Sequence, residues 1–251
     1  MQNIFISGGA SGLGLSTAKK FLAEGWRVGV YDLVDCDLQH ENLVVGRLDV
    51  TQPDSWEAAL ADFTAVTGGQ LDILDNNAGV IRDGNVADLK PADISLQVQV
   101  NAYGVTLGAR AAYPYLKKTP GSHLVSMASA SGIYGQPEIA TYSATKAYVG
   151  AMTEALGLEW RKDDIRVIDI WPLWAKTSLA ETSATSARRL GVHITPEQVA
   201  ERIWEATHPK NAWQRGRIHY GVSPLDEVLY RARHMAPDRV ARIINKALSA
   251  G

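Results

Sequence analysis

"NIFISGGASGLGLSTAKKFLAEGWRVGVYD", residues 3–32, runs through a strand, a glycine-rich turn, a helix and a second strand in one short stretch. "NIFIS" (3–7) and "RVGVYD" (27–32) are β-rich apolar runs, and "LGLSTAKKFLAEG" between them has helical character and closes on Gly25, a C-cap residue. Gly8, Gly12 and Gly14 sit just after the strand and just before the helix. Glycine lets a backbone turn sharply and approach a pyrophosphate, while the unpaired amides and the positive end of the helix dipole face the anion. On these glycines alone, a phosphate cradle and an ordinary strand-to-helix turn stand level.

Working outward, the same alternation continues. Further strands are predicted in "LVVGRLD" (43–49), "LDILDNN" (71–77), "HLVSMAS" (123–129), "IRVIDIW" (165–171) and "GRIHYG" (216–221), with "DSWEAALADFTAVTG" among the helices between them. This order predicts an α/β fold: a doubly wound, Rossmann-like three-layer sandwich around a seven-stranded parallel sheet. One domain over 1–251 is expected, with 173–196 as a substrate flap and 222–251 as a helical C-terminal extension. "LAETSATSARRLG" (179–191) is small, polar and weakly patterned, which suits the flap.

With 251 residues and a formal net charge of −2, the chain can bury a large core but carries no basic footprint for nucleic acid or an anionic membrane surface. A single cysteine, Cys36, excludes an intrachain disulfide framework. No apolar run is long enough to span a bilayer and no signal-type segment opens the chain, so a cytoplasmic protein is expected. His123, His193 and His219 lack the spacing of a metal site and are read as surface or satisfied histidines.

Asp32 ends the second strand, about twenty residues past the glycines, where a carboxylate can accept from ribose hydroxyls and repel a 2′-phosphate. No Arg or Lys neighbours it in sequence, so NAD is favoured over NADP. Asp49 could accept from an adenine amine with Val50 packed beside the ring, or simply cap a turn. In "ATYSATKAY" (140–148), Tyr142 and Lys146 lie four apart and so share one helix face. A tyrosine with pKa of about 10 is a poor base near neutrality, and a neighbouring ammonium would lower it.

In their order and separation these features resemble the short-chain dehydrogenase/reductases, from Ile4 to about Thr177. The landmarks are Gly8-x-x-x-Gly12-x-Gly14, "NNAG" (76–79), "NAYG" (101–104), Ser129 and Tyr142-x-x-x-Lys146. The resemblance implies catalysis by Asn101, Ser129, Tyr142 and Lys146: Tyr142 as acid/base, Lys146 tuning it and holding the nicotinamide ribose, Ser129 holding the substrate oxygen, and Asn101 anchoring a water in a proton relay. It implies cofactor contacts from Gly8, Ser11, Gly12, Leu13, Gly14, Asp32, Asp49, Val50, Asn77, Gly79, Tyr142, Lys146, Pro172 and Thr177. The implied activity is metal-independent hydride transfer between NAD(H) and a small-molecule secondary alcohol or ketone, in a homodimer or homotetramer. The apolar content of Ala130, Gly135, Gln136, Trp174 and the 179–191 segment hints at a hydrophobic substrate. A cofactor-binding regulator without turnover, a 3-oxoacyl-thioester reductase and a sugar epimerase or dehydratase are the competing readings.

The chain departs from the family pattern in several places. Leu173 stands where glycine is usual, the span from Asp32 to Asp49 is too short for the usual helix, and Asp75 interrupts an apolar strand. "GRIHYGVSP" lacks the Asp-Gly-Gly of many tetrameric members, and two helices are expected after it. A turn is expected after Asp32, and a buried, hydrogen-bonded carboxylate at Asp75.

Overall fold

The computed structural model describes residues 1–177, 179 and 184–249, the side chains of 234, 248 and 249 excepted. The first half contains β1 (Asn3–Ser7), α1 (Gly12–Ala23), β2 (Arg27–Asp32), β3 (Leu43–Arg47), α2 (Pro53–Ala65), β4 (Ile73–Asn76), α3 (Pro91–Val98) and α4 (Val105–Leu116). There follow β5 (His123–Met127), α5 (Ala140–Glu159), β6 (Arg166–Trp171), α6 (Thr185–Leu190), α7 (Pro196–Thr207), α8 (Ala212–Arg215), β7 (His219–Gly221), α9 (Pro224–Met235) and α10 (Asp238–Ser249).

The strands form one seven-stranded parallel sheet in the order β3-β2-β1-β4-β5-β6-β7. A sheet covered on both faces needs strands that are apolar on both sides, and β1 is buried at every residue. Ile4 and Ile6 join Val28, Val30, Phe21 and Ile203 in one core layer, built with α1 and α7. Phe5 points into the other layer with Trp56, Leu60, Phe63 and Leu116, built with α2 and α4. There Phe5 stacks on Tyr31 at 4.5 Å and meets Phe63 edge-on at 5.7 Å.

Several strands are shorter than the sequence patterns suggest. β3 stops at Arg47, β5 at Met127, and β7 begins only at His219. The apolar pattern outlasts the ladder because the chain leaves the sheet while still packing on it: Leu48 is buried beyond the end of β3. These C-terminal overhangs carry the candidate site. As expected, no helix joins β2 to β3.

Residues 178 and 180–183 of the expected flap, and the last two residues, lie outside the described residues. The rest of the flap is more ordered than its composition suggests, because Ala175 bridges to Ile194 and α6 buries Ser186 and Ala187. The expected C-terminal helices are α9 and α10. Leu229 and Ala241 pack with Ala130, Tyr134 and Trp171 beside the C-terminal ends of β5 and β6. Among the described residues, no helix is long and apolar enough to cross a membrane.

Candidate functional site

The loops after β1, β2, β4, β5 and β6 converge on the sheet's C-terminal edge. There the strand order reverses between β1 and β4, the place where open parallel sheets take ligands. Gly8 and Gly12 hold φ of +67° and +52°, the left-handed region where a side chain is strained. Gly14 is required for another reason: a Cβ there would lie 2.4 Å from the Gly8 carbonyl oxygen and 2.5 Å from Nδ2 of Asn77. That amide donates to the Gly8 carbonyl at 2.8 Å and to the Ser7 carbonyl at 3.2 Å, tying the loop after β4 to the glycine turn.

Asp32 fastens the same turn. Its Oδ2 accepts from the Ala10 amide at 3.0 Å and its Oδ1 from the Leu33 amide at 2.6 Å. The sequence reading that no basic residue neighbours Asp32 holds only along the chain, since the β2–β3 register places exposed Arg47 opposite it. Asp49 lies beyond the end of β3, and its Oδ1 accepts from the Thr51 amide at 2.9 Å and hydroxyl at 2.7 Å. The turn-capping alternative therefore describes that oxygen, while Asp49 and Val50 still line the cavity.

At the other end, Ser129 directly follows the β5 overhang. Its Oγ accepts from the amide of Ser131 at 3.2 Å and from its hydroxyl at 3.1 Å. Tyr142 and Lys146 stand one turn apart on α5. The Lys146 ammonium donates to the Met127 carbonyl at 2.7 Å and lies 5.6 Å from the centre of the Tyr142 ring. Burial pushes the Tyr142 phenol up to about 12, against the pull of its hydrogen bond with Ser129. Burial likewise lowers Lys146 to about 8. The phenol is thus raised, not lowered: burial outweighs the Ser129 hydrogen bond.

Asn101 sits in a π-helical segment, Gln99–Gly104, between α3 and α4. Its Oδ1 accepts from the Val80 amide at 2.8 Å, and its Nδ2 donates to the Val80 carbonyl at 2.8 Å. The inserted turn aims the side chain at the loop after β4, and π-bulges recur at functional sites. Asn101 gives its Nδ2 hydrogens to the Val80 carbonyl and the Thr145 hydroxyl, accepts one bond on Oδ1, and lies outside the cavity lining.

The cavity has a volume of about 550 Å³. Gly8, Ser11, Gly12, Leu13, Asp32, Asp49, Val50, Asn77 and Gly79 line it from the β1, β2, β3 and β4 loops, and Ser129, Tyr142, Lys146, Pro172 and Thr177 from the β5 and β6 side. Gly14 and Asn101 stay outside the lining and shape it from behind. Leu173, Trp174 and Gln136 of the expected substrate pocket line the cavity, and Gly135 does not. Sequence reading missed Ile81 and Leu96 in the wall and the Met127 carbonyl that holds Lys146. A backbone acceptor leaves no mark in a sequence.

The glycine turn, Asn77 and Asp32 present the amides, close backbone approach and carboxylate that a dinucleotide needs, so the residues present fit such a group. Asp75 follows a different pattern from its expectation: it is fully buried, neither carboxylate oxygen has a partner among the described residues, and burial raises it to about 8. His219 is a satisfied histidine, bonded to Asp169 at 2.8 Å and Glu154 at 3.2 Å. Among the described residues no His/Cys/Asp/Glu group could hold a metal ion.

Comparison with known proteins places the chain in a family. The short chain dehydrogenase family model matches residues 2–187. The 3-alpha-(or 20-beta)-hydroxysteroid dehydrogenase of Mycobacterium tuberculosis is 35% identical over 184 residues, 70% of each chain. A 3-ketoacyl-(acyl-carrier-protein) reductase from Brucella melitensis, solved with NADH, superposes with a TM-score of 0.79 at 25% identity, covering 88% of this chain and 96% of that one. A Burkholderia cenocepacia short chain dehydrogenase, solved with NADP, reaches a TM-score of 0.82 at 20% identity over 99% of both chains, a likeness of fold. With the match spanning most of the chain, this protein belongs to the short-chain dehydrogenase family of oxidoreductases.

Proposed function

We propose that the protein transfers a hydride between NAD(H) and a hydrophobic secondary alcohol or ketone, without a metal. One observation carries the reading: Ser129, Tyr142 and Lys146 share a cavity with the glycine turn and Asp32. A bound nicotinamide would accept or supply the hydride. Gly8 to Leu13, Asn77 and Asp32 would hold its dinucleotide, with Lys146 on the nicotinamide ribose and Thr177 near the carboxamide.

Each side chain then has a defined task. Ser129, fixed by Ser131, donates to the substrate oxygen and takes part of its developing charge. Tyr142 gives that oxygen a proton during reduction and removes it during oxidation. A phenol held near 12 is fully protonated at neutral pH, which suits reduction. For oxidation the phenolate must be stabilised by positive charge, from the Lys146 ammonium and an oxidised nicotinamide ring. Lys146, at about 8, exchanges protons near neutrality and so can replenish the tyrosine. Asn101 supports this path by fixing the Val80 loop and Thr145 of α5.

Asp32 lines the cavity and Arg47 does not, which supports NAD over NADP. Apolar Ile81, Leu96, Leu173 and Trp174 support a hydrophobic substrate, as does the likeness to a hydroxysteroid dehydrogenase. The likeness to the Brucella enzyme favours 3-oxoacyl thioesters as the second reading. Exposed Tyr103, Tyr148 and Leu158, on the π segment and α5, offer a surface for a homodimer. An NADH absorbance screen over hydroxysteroids, cyclic and acyclic secondary alcohols, their ketones and 3-oxoacyl thioesters, with NADP(H) in parallel, tests the proposal. Turnover of a hydrophobic alcohol or ketone with strong preference for NAD(H) is expected; equal use of both cofactors contradicts the role given to Asp32.

A further inference from the structure

A serine hydroxyl has one hydrogen to give and two lone pairs with which to accept, so its partners can fix the direction in which it bonds. Ser129 directly precedes a short tight turn, Ala130–Gly132, and its Oγ accepts from the Ser131 amide at 3.2 Å. That bond is the local turn a serine makes with the backbone two residues on, and any residue at 131 with a free amide would supply it. The Ser131 hydroxyl adds something the turn does not require: it donates to the same Ser129 oxygen at 3.1 Å. Both lone pairs of Ser129 are then taken.

The packing holds Ser131 in this position. It is 4% exposed and lines the cavity together with Ser129 and Tyr142. The Gly132 amide closes the turn on the Ser129 carbonyl at 2.9 Å, and the turn sits hard against α5: a Cβ at Gly132 would lie 2.8 Å from the Ala147 nitrogen. With two hydrogens aimed at it, the Ser129 oxygen can only donate. Its own hydrogen goes to Tyr142, a bond that draws the phenol down against the burial that raises it. The charged group facing this ring is the Lys146 ammonium on the same helix, 5.6 Å from the ring centre, and an ammonium has no lone pair to offer. Since neither Ser129 nor Lys146 can accept from the phenol, its hydrogen is left for an oxygen in the cavity.

We propose that Ser131 is a positioning residue: its hydroxyl fills the second lone pair of Ser129, makes Ser129 an obligate donor, and so aims the Tyr142 proton into the cavity. The proposal rests on the roles given above to Ser129 and Tyr142. Its test does not depend on finding the substrate, because it reads the ionisation of the phenol directly in the full chain.

Tyr142→difluorotyrosine lowers the intrinsic pKa of the ring hydroxyl, so that fluorine NMR can follow its ionisation while the protein stays folded. The titration is run with Ser131 in place and with Ser131→Ala, Ser131→Thr and Ser131→Cys. In Ser131→Ala the freed lone pair of Ser129 accepts from the phenol and favours its neutral form, so the pKa is expected to rise by about half a unit to one unit, the worth of one such hydrogen bond. Ser131→Thr returns the hydroxyl and should reverse the rise; Ser131→Cys, close in size but a weak donor, should fall between the two. All three keep the backbone bond, so NADH affinity is expected to stay unchanged. With an alcohol or ketone found in the absorbance screen, Ser131→Ala should lower kcat about fivefold at unchanged KM. An unmoved or lowered pKa in Ser131→Ala overturns the proposal, and so does a rise that neither Thr nor Cys reduces, or a loss of Tm in Ser131→Ala with the pKa in place, which would mark a residue that only holds the turn. If no alcohol or ketone is turned over but the rise and its reversal hold, the functional reading fails and the role of Ser131 stands.

Discussion

The nucleotide end and the substrate end of the cavity are built in opposite ways. The nucleotide end comes largely from one continuous stretch, β1 to β2, closed by Asn77 reaching from the next strand over. The end proposed for the substrate is lined by Ser129 to Ser131 and Gln136 after β5, by Tyr142 and Lys146 of α5, and by Pro172 to Ala175 after β6, elements that are distant in sequence. In the proposed reading, a locally encoded cradle for the cofactor is thus joined to a wall drawn from several separate elements. The difference teaches where specificity resides.

Tyr142→Phe should separate the two ends most sharply. Loss of the proton donor is expected to lower turnover by roughly 10²–10⁴-fold, the usual worth of a general acid, while NADH titration shows unchanged affinity. Lost affinity would mean that the two ends are not independent.

Asp75 lies on β4, paired in register with Ile6 and Val125, beneath both ends. Its pKa rises from about 3.9 unfolded to about 8 folded, so the native state binds the extra proton between those values. The contribution of Asp75 to stability is therefore full below about pH 4, falls by up to about 1.4 kcal/mol per pH unit as pH rises toward 8, and levels off above it. Asp75→Asn should flatten this slope in urea titrations and be the more stable protein at pH 8. A wild-type stability that does not fall over this window would show that the carboxyl is ionised and partnered.

Gly14→Ala attacks the nucleotide end alone. The added Cβ must displace the Gly8 carbonyl and Asn77, a strain expected to cost about 1–3 kcal/mol, seen as weakened NADH binding. The smallest effect belongs to Ser223, whose hydroxyl and backbone form a capping box with Asp226 at the start of α9. Ser223→Ala should cost about 1 kcal/mol in thermal unfolding, and faster hydrogen exchange confined to α9 and α10 would place that loss in the C-terminal extension.

Periodicity and turn chemistry are local properties, and what depends on them was legible in the sequence. β1 and β2 fall where their apolar runs begin and end, the glycine turn lies between them, and Tyr142 and Lys146 share a helix face because helical pitch requires it. Tertiary structure alone decided that Arg47 faces Asp32 across a strand pair, that Lys146 is held by a carbonyl of β5, and that Glu138 reaches α6. It also set the direction in which burial shifts Tyr142 and Asp75, since burial depends on everything packed around a group. Sequence carries short-range stereochemistry; desolvation, strand register and contacts between distant segments exist only once the chain has folded upon itself.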